Sequence, residues 1–278
     1  MNQRPGPDAF HETRRRLADG GPLRVEIATA HGLTPDWTAE VLSDERQILI
    51  PIASTFHFKA GRREAICDPN QVLMITPGLV SRDRRLADDD VRALILTLSE
   101  EHVEELVGEG LARFDELTIP ASHTAQRLAA ALMRGEGEDG LSIEDAALRL
   151  LRSTLGAQPP RADPVGPRPL RLVAAVKEML AQASEPLSLT RIGRALGVSP
   201  VYLAEIFHRA EGTPIGRYQR RLRLTRALAL LPETEDIAGL ALDLGFSSHS
   251  HFTAAFRAAH GVTPSAYRGT PVRSARRR

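Results

Sequence analysis

Two short segments in the last third of the chain carry most of the side chains that could recognise a polar partner. Their hydroxyl, imidazole, carboxylate and guanidinium groups can donate or accept hydrogen bonds. Both sets occupy positions that a helix would turn outward. The first set is Ser199, Val201, Tyr202, Ala204, Glu205, His208 and Arg209. The second set is Ser247, Ser248, His249, Ser250, His251, Ala254 and Arg257.

The first set belongs to a predicted helix, glycine turn and second helix. Ile192, Ala195 and Leu196 have the spacing of an apolar helix face. Gly197 is expected to adopt a positive φ at the turn, which costs glycine little. In Ser199–Pro200, the serine suits an N-cap and the proline suits the first helical position. The residues expected to be buried on the second helix are Leu203, Ile206 and Phe207.

The same arrangement recurs from Asp236 to Phe256. Gly245 follows Gly197 by 48 positions, and Ala241 follows the small residue Gly193 by the same offset. A fixed offset between two similar units indicates an internal repeat. Either Ser247 or Ser248 is expected to cap the second helix. The residues expected to be buried are Ile237, Leu240, Leu244, Phe246, Phe252 and Phe256.

A further helix is predicted between the two units, from Pro214 to Leu231. Eighteen helical residues would span roughly 27 Å. A helix-turn-helix unit places its second helix in the major groove of DNA, and successive major-groove faces lie roughly 34 Å apart. The spacing therefore predicts that both sets contact the bases of one double-stranded DNA, in adjacent grooves.

The two halves of the chain carry opposite net charge. Residues 170–278 hold 16 Lys and Arg against 8 Asp and Glu, a net of +8. Residues 1–169 hold 20 against 27, a net of −7, so the total of +1 hides the asymmetry. Because phosphate contacts supply much of the affinity for DNA, the basic half suits this partner. We expect the acidic half to lie away from the DNA.

From about Leu170 to Arg268, the chain resembles the AraC/XylS family of bacterial transcription regulators. The strongest match runs from Ile237 to Arg268 and includes Gly245-Phe246-Ser247 and Gly261-Val262-Thr263-Pro264. The resemblance implies a seven-helix domain whose two recognition helices contact bases, attached to a variable sensing or dimerising domain. Other matching residues are Leu203, Phe207, Gly212, Tyr218, Arg223 and Ala227 to Leu231.

Direct recognition of bases is expected to be sparse in this chain. Base edges are contacted mainly by Arg, Lys, Asn and Gln, with Glu for cytosine. The two sets offer mostly small or weakly polar groups instead. We expect one contact of Glu205 with cytosine, contacts with thymine methyl groups, and recognition of DNA shape for the remainder.

The N-terminal half contains short segments rich in Val, Ile, Leu and Thr, which predict an antiparallel sheet folded into a sandwich or small barrel. Asp68–Gly78 resembles the strand and turn of cupin-type jelly rolls. The predicted strands are Leu23–Thr29, Trp37–Leu42, Gln47–Ile52, Arg63–Cys67, Val72–Thr76 and Val91–Leu98.

Three helices are predicted after the strands, at Ser99–Gly108, Ser122–Arg134 and Ser142–Leu155. The apolar stripes of the last two either cover the open face of the sheet or form a dimer interface. Five prolines in Ala157–Pro169 predict an extended linker. We expect an α+β protein with a cupin-like sensor and dimerisation domain at 1–156, and an all-α seven-helix domain with two helix-turn-helix motifs at 170–278.

The predicted barrel lacks the ligands of metal-dependent cupins, which present a His-x-His pair and another His after the Pro-x-Gly turn. His57 stands alone between two phenylalanines, and no histidine follows Pro77-Gly78 closely. We therefore expect no catalytic residue, metal or cofactor. His57 and Cys67 are the candidates for lining an effector pocket. Their simpler interpretation is a core histidine with one hydrogen bond and a small buried thiol.

The single cysteine allows neither an intrachain disulfide nor a cysteine-based zinc site. The polar and charged start, Met1–Gly21, is unlike a secretory signal. No apolar run approaches the ~18 residues that a transmembrane helix needs. We expect a cytoplasmic protein that does not associate with membranes.

These features together predict a sequence-specific DNA-binding transcription regulator that responds to a small-molecule effector in its N-terminal domain. The expected partners are double-stranded DNA, RNA polymerase, the effector and a second copy of the chain in a homodimer. Two alternatives stay open. One is an architectural DNA-binding protein of low sequence specificity, and the other is a cupin-type enzyme with a DNA-binding tail.

Overall fold

The computed structural model describes residues 11–31, 36–52, 54–86, 91–107, 116–134, 143–155, 166–183 and 185–269. Antiparallel strands dominate its N-terminal half and helices its C-terminal half, so the α+β class is confirmed. The strands are β1 His11–Gly20, β2 Leu23–His31, β3 Val41–Leu42, β4 Arg46–Pro51, β5 Phe56–Ala60, β6 Arg63–Cys67, β7 Gln71–Ile75, β8 Val80–Arg85, β9 Val91–Leu98 and β10 Thr118–Pro120. The N-terminal helices are α1 Val103–Val107, α2 His123–Met133 and α3 Ile143–Leu155.

Seven helices occupy the described part of the C-terminal half, as the resemblance implies. A 3₁₀ turn at Leu231–Glu233 follows the fourth of them. These helices are α4 Pro167–Gln182, α5 Leu189–Leu196, α6 Pro200–Glu211, α7 Ile215–Leu230, α8 Ile237–Asp243, α9 His249–His260 and α10 Pro264–Arg268.

The strands form two antiparallel sheets. The larger has the order β1-β2-β9-β4-β7-β10, and the smaller has the order β3-β8-β5-β6. Strand β7 connects the cores on the two faces of the larger sheet, and all of its residues are buried. Val72 and Met74 lie in one apolar cluster, whereas Leu73 and Ile75 lie in another with Phe56 of the smaller sheet. Alternating side chains of one strand therefore enter two cores.

Helices α2 and α3 cover the larger sheet. Their predicted stripes, including Leu128, Leu132, Leu150 and Leu151, are almost completely buried in the same cluster as the sheet residue Leu96. Side chains that are already buried within one chain cannot form an interface with a second copy. Of the two alternatives for these stripes, the structure therefore shows coverage of the sheet.

Strand β1, which contains a run of arginines, is not among the predicted strands, and neither are β5, β8 and β10. Strand β1 pairs with β2 along nearly its whole length, with a register irregularity between Arg16 and Ala18. Arg14 and Arg16 lie 3.7 and 3.8 Å from the carboxylate of Glu26 on β2. A charged strand at the edge of a sheet also opposes pairing with further chains.

Two predicted elements are shorter than expected. Of Trp37–Leu42, only Val41–Leu42 is a strand, because Thr38 is held instead by its backbone and side-chain bonds to Asp83. The helix predicted from Ser99 begins at Val103. The N–H of Ser99 donates to the carbonyl of Pro22 at 2.9 Å, just before β2. Ser99 therefore still pairs with the sheet and is not part of the helix.

The last three residues of the predicted linker are helical. Pro167–Pro169 form the first turn of α4, with proline at the start of the helix. Proline is favoured there because the first helical N–H groups have no partner in the helix. Residues 156–165, which make up most of the predicted linker, lie outside the described residues. The proposed domain limits at 156 and 170 therefore stay predictions.

The C-terminal helices form two apolar clusters that share α7. Its first turns pack with α4, α5 and α6 around Phe207 and Tyr218. Its last turns pack with α8, α9 and α10 around Phe252 and Phe256. The connecting helix spans 16 residues, so it is about 24 Å long.

Buried polar contacts join the two halves of the molecule. The amide of Asn70 donates to the backbone carbonyl of Tyr218 at 3.1 Å, and the amide of Gln71 donates to Glu211 at 2.7 Å. Glu211 also pairs with Lys177 at 2.8 Å, and both of these side chains are at most 10 % exposed. Because these groups are shielded from water, each needs its partner to remain buried without a large cost.

Candidate nucleic-acid interface

The first helix-turn-helix unit consists of α5, the turn at Gly197 and α6. Gly197 has a φ of +66°, as predicted. Ser199 caps α6 by accepting a hydrogen bond from the N–H of Tyr202 at 3.2 Å, and Pro200 is the first helical residue. A side chain at Gly193 would place its Cβ 2.9 Å from the carbonyl oxygen of Val198, so only glycine allows this close turn.

The buried face of α6 is the predicted one, since Leu203, Ile206 and Phe207 are at most 4 % exposed. One prediction for α5 is wrong: Ala195 is exposed, and Gly193 takes the buried position beside Ile192. The reason is that α5 approaches the following turn through Gly193, which rotates Ala195 away from the core.

The outward residues of α6 form the first recognition face. Val201 is 79 % exposed and Tyr202 is 40 % exposed, and Glu205 is also exposed. Ala204 is half-buried. The remaining predicted contacts, all exposed, are Ser199, His208 and Arg209.

The second unit repeats the arrangement with α8, the turn at Gly245 and α9. Gly245 has a φ of +73°. Ser248, not Ser247, is the N-cap of α9 and accepts from the N–H of His251 at 3.1 Å. The hydroxyl of Ser247 lies 3.1 Å from Nδ1 of the same histidine. Both serines therefore help to fix the first turn of α9.

The second recognition face lies along α9. Phe252 and Phe256 are completely buried and hold the helix against the core, whereas its other side is open to solvent. The predicted contacts Ser247, Ser248, His249, Ser250, His251, Ala254 and Arg257 are all exposed.

An open groove of about 720 Å³ runs along this face. Sequence reasoning did not include Thr253, Ala258 and Thr263, which line the groove beside His249 and Arg257. The helical period could have identified Thr253, because it lies four residues, about one turn, after His249. Its hydroxyl lies 3.4 Å from Nε2 of His249.

Arg223 holds the second turn in place from α7. Its Nη1 donates to the carbonyl of Gly245 at 2.7 Å, and its guanidinium lies 4.9 Å from the ring centre of Phe246. The backbone carbonyls at this turn thus gain a charged donor, which is stronger than a neutral one. The sequence identified Arg223 as a matching residue, but its role depends on a contact between distant segments.

The two candidate effector residues do not line one pocket. Cys67 is directly opposite Phe56 in the β5–β6 pair and lies in the core between the sheets, where burial raises the pKa of its thiol. His57 is the next residue along β5, so it faces the other side. Neither residue lines the groove on α9.

His57 lies in a charged contact with α4. Its Nδ1 is 3.7 Å from Glu178 and its Nε2 is 3.4 Å from Glu64, while Arg84 reaches both His57 and Glu178. Burial, followed by the charge of Arg84, lowers the pKa of His57. This histidine therefore belongs to the contact between the two halves. Within the described ranges, no group of three His, Cys, Asp or Glu side chains is arranged to hold a metal ion.

One family model matches the C-terminal part of the chain, and several curated proteins match about a third of its length. The Helix-turn-helix domain family matches residues 192–270. Regulatory protein PocR of Salmonella typhimurium is 33 % identical over 106 residues, which cover 37 % of this chain and 35 % of PocR. The probable transcription factor PqrA of Proteus vulgaris is 34 % identical over 92 residues, which cover 33 % of this chain and 75 % of PqrA.

A solved structure also matches part of the chain. It is a Chromobacterium violaceum transcriptional regulator with an AraC-type DNA-binding domain. The two chains are 37 % identical, the match covers 37 % of this chain and 95 % of the other, and the TM-score is 0.34. The chain spans about a third of the length of the first curated relatives that it matches. No helix among the described residues is long and apolar enough to cross a membrane.

Proposed function

Because the chain belongs to the AraC/XylS family of transcription regulators, we propose that it binds specific sites in double-stranded DNA through α6 and α9 and thereby regulates transcription. The observation that carries this proposal is the pair of exposed recognition faces, each held by a capped helix, a left-handed glycine and a buried aromatic anchor.

The chemistry of the two faces suggests how sites are distinguished. Glu205 is the one carboxylate on the first face and would accept a hydrogen bond from a cytosine amino group. Val201, Ala204 and Ala254 offer small apolar contacts that suit thymine methyl groups. Arg209 and Arg257 lie at the C-terminal ends of their helices, where guanidinium groups suit the phosphate backbone.

Few strong base contacts are available on these faces, so we propose that the shape of the DNA supplies much of the remaining specificity. The predicted contacts Ser199, Tyr202, His208, Ser247, Ser248, His249, Ser250 and His251 would then position the backbone or make single hydrogen bonds.

The N-terminal half is proposed to act as a regulatory domain rather than as an enzyme. Its polar contacts with α4, α6 and α7 support this role, because a change in the N-terminal half can alter how the DNA-binding helices are held. An effector would need different affinities for two arrangements to shift them. We further propose that the protein acts in the cytoplasm, in contact with RNA polymerase, and that it forms a homodimer through a surface other than the stripes of α2 and α3.

Selection of bound sequences from random DNA tests the proposal directly. We expect the full chain to enrich two short motifs separated by about one helical turn of DNA. The test variant combines Glu205→Ala and His249→Ala, which remove exposed side chains and leave both cores intact. We expect this variant to enrich the motifs with a weaker base preference at the positions that these two residues contact, while it remains folded by circular dichroism.

Selection that enriches no motif, together with measurable affinity for any duplex, would support the architectural alternative instead. The small side chains of Val201, Ala204 and Ala254 on the recognition faces are the observation that favours that alternative. The absence of any DNA binding at low salt would reject both.

A further inference from the structure

A cavity of about 280 Å³ lies where the N-terminal half meets the helices of the DNA-binding region. Asn70, Pro120 and His123 line it from one side, and residues of α7 and α9 line it from the other. Its volume is just below the range of about 300–1,000 Å³ that is usual for small-molecule sites. A ligand in this cavity would therefore contact both halves of the molecule at once.

Positive charge dominates the wall formed by α7. Arg217, Arg220 and Arg221 all line the cavity, at the spacing of one helix face. The carboxylate in the lining, Glu211, already uses one oxygen for Lys177 at 2.8 Å and the other for Gln71 at 2.7 Å. The cavity therefore presents three guanidinium groups and a carboxylate whose charge is already balanced.

Arg221 provides an unused donor at this wall. Its Nε donates to the side-chain oxygen of Gln126 at 3.3 Å, whereas its Nη2 is buried and has no hydrogen-bond partner among the described residues. A buried charged donor without a partner is costly, and the charge of an anion in the cavity would lower this cost. Burial also lowers the pKa of Arg221, which agrees with incomplete compensation of its charge.

Another part of the lining is apolar. Ala255, Ala258 and Ala259 of α9, Leu224 of α7 and Pro120 of β10 leave space without offering side-chain hydrogen bonds. A free inorganic anion would leave this part of the cavity unfilled. The combination therefore suits a molecule with one charged end and a compact apolar body.

We propose that this cavity binds a small organic anion, either a carboxylate or a phosphate monoester, with its charged group on Arg217, Arg220 and Arg221 and its apolar body against α9. As an effector site, it rests on the proposed function. Because α9 is the second recognition helix, occupancy would favour one placement of that helix against the N-terminal half.

Titration calorimetry of the full chain at pH 7.5 tests the site, with benzoate and phenyl phosphate as probes and benzyl alcohol as their neutral counterpart. We expect one anion to bind and benzyl alcohol to bind at least about tenfold more weakly. Loss of the positive charge in Arg221→Gln should weaken anion binding by about tenfold. Arg217→Gln, at an exposed position, should weaken it as well.

Arg226→Gln is the matched control, because Arg226 is on the same helix but does not line the cavity. We expect this variant to bind like the unmodified chain. The tighter of the two probes distinguishes a carboxylate from a phosphate ligand. The proposal is overturned if neither anion binds, or if binding is the same in Arg221→Gln and Arg217→Gln as in the unmodified chain.

The two experiments distinguish a failure of the anion site from a failure of the proposed function. Selective DNA binding without any anion binding would reject only the cavity as a site. Anion binding that needs Arg221, in a chain that selects no DNA sequence, would retain the site and reject the proposed function.

Discussion

The hydroxyl of Tyr218 donates a 2.5 Å hydrogen bond to Oδ2 of Asp68, and this bond joins the connecting helix α7 to the turn before β7. Both residues are almost completely buried, and burial is the main cause that raises the pKa of each. Asp68 also accepts from the backbone N–H of Asn70 at 2.8 Å. The N-terminal sheet and the DNA-binding helices are thus held together by a shielded polar contact.

We expect Tyr218→Phe to lower the free energy of unfolding by about 1–3 kcal/mol, because it leaves a buried carboxylate oxygen without its donor. Urea denaturation followed by circular dichroism measures the change. Tyr202→Phe is the control, since it removes a hydroxyl from a side chain that is 40 % exposed. Equal denaturation midpoints for the two variants would contradict the assignment.

The two glycine turns should respond differently to alanine. Gly197→Ala meets open space and should cost only the left-handed backbone, about 1–2 kcal/mol. Gly245→Ala should cost more, because its Cβ would also lie 2.7 Å from Pro186. Thermal unfolding compares the two. Gly216→Ala, in the first turns of α7 with nothing near its Cβ, should be neutral or stabilising. A higher unfolding temperature for Gly245→Ala than for Gly197→Ala would contradict the close packing of Gly245 against Pro186.

Glu205→Ala should change which base is preferred more than it changes total affinity. Removing one acceptor from the recognition face should reduce discrimination at one position by about 1–3 kcal/mol. Sequence selection on random DNA, carried out with the unmodified chain and with Glu205→Ala, measures this change. Glu185→Ala removes the same charge from an exposed position outside both recognition faces and should leave the preference intact. An unaltered base preference in Glu205→Ala would mean that α6 does not recognise bases.

Arg257→Gln should weaken binding to all sequences by a similar factor. If Arg257 contacts one phosphate, the slope of log affinity against log salt concentration should fall in magnitude by about 0.9. Fluorescence anisotropy at several salt concentrations gives the slope. Arg171→Gln, at an exposed position of α4, is the control with the same charge change. An unchanged slope in Arg257→Gln would mean that this residue does not contact the backbone.

Acid should destabilise the fold through His260. Burial, followed by the charge of His123 and with smaller effects of Arg127 and Arg221, lowers the pKa of His260 to about 3. The unfolded chain therefore binds more protons than the folded chain between about pH 6.5 and pH 3, so stability is lost as the pH falls through this window.

Between pH 7.5 and pH 5, this residue alone should cost about 2 kcal/mol. We expect His260→Leu to reduce the pH dependence of urea denaturation by that amount, because it removes this buried imidazole. His208→Leu changes an exposed histidine and should leave the dependence unaltered. The same loss of stability on acidification in both variants would contradict the prediction.

The amino-acid sequence by itself determined the two helix-turn-helix units. Their signals are local: Ser199 and Ser248 lie just before the helices that they cap, Gly197 and Gly245 supply the left-handed turns, and the apolar spacing of each second helix decides its buried face. Capping, backbone preference and helical period act over a few residues, so they can be recognised without a fold.

Only the tertiary structure decided what depends on segments far apart in the chain. Strand β1 is stabilised by its pairing with β2 despite its arginines, and Cys67 and His57 are separated onto opposite faces by the register of β5 with β6. The contact of Arg223 with Gly245 and the basic cavity beside Arg221 likewise need α7 packed against other elements. Their partners are set by long-range packing and burial, which no local pattern of residues specifies.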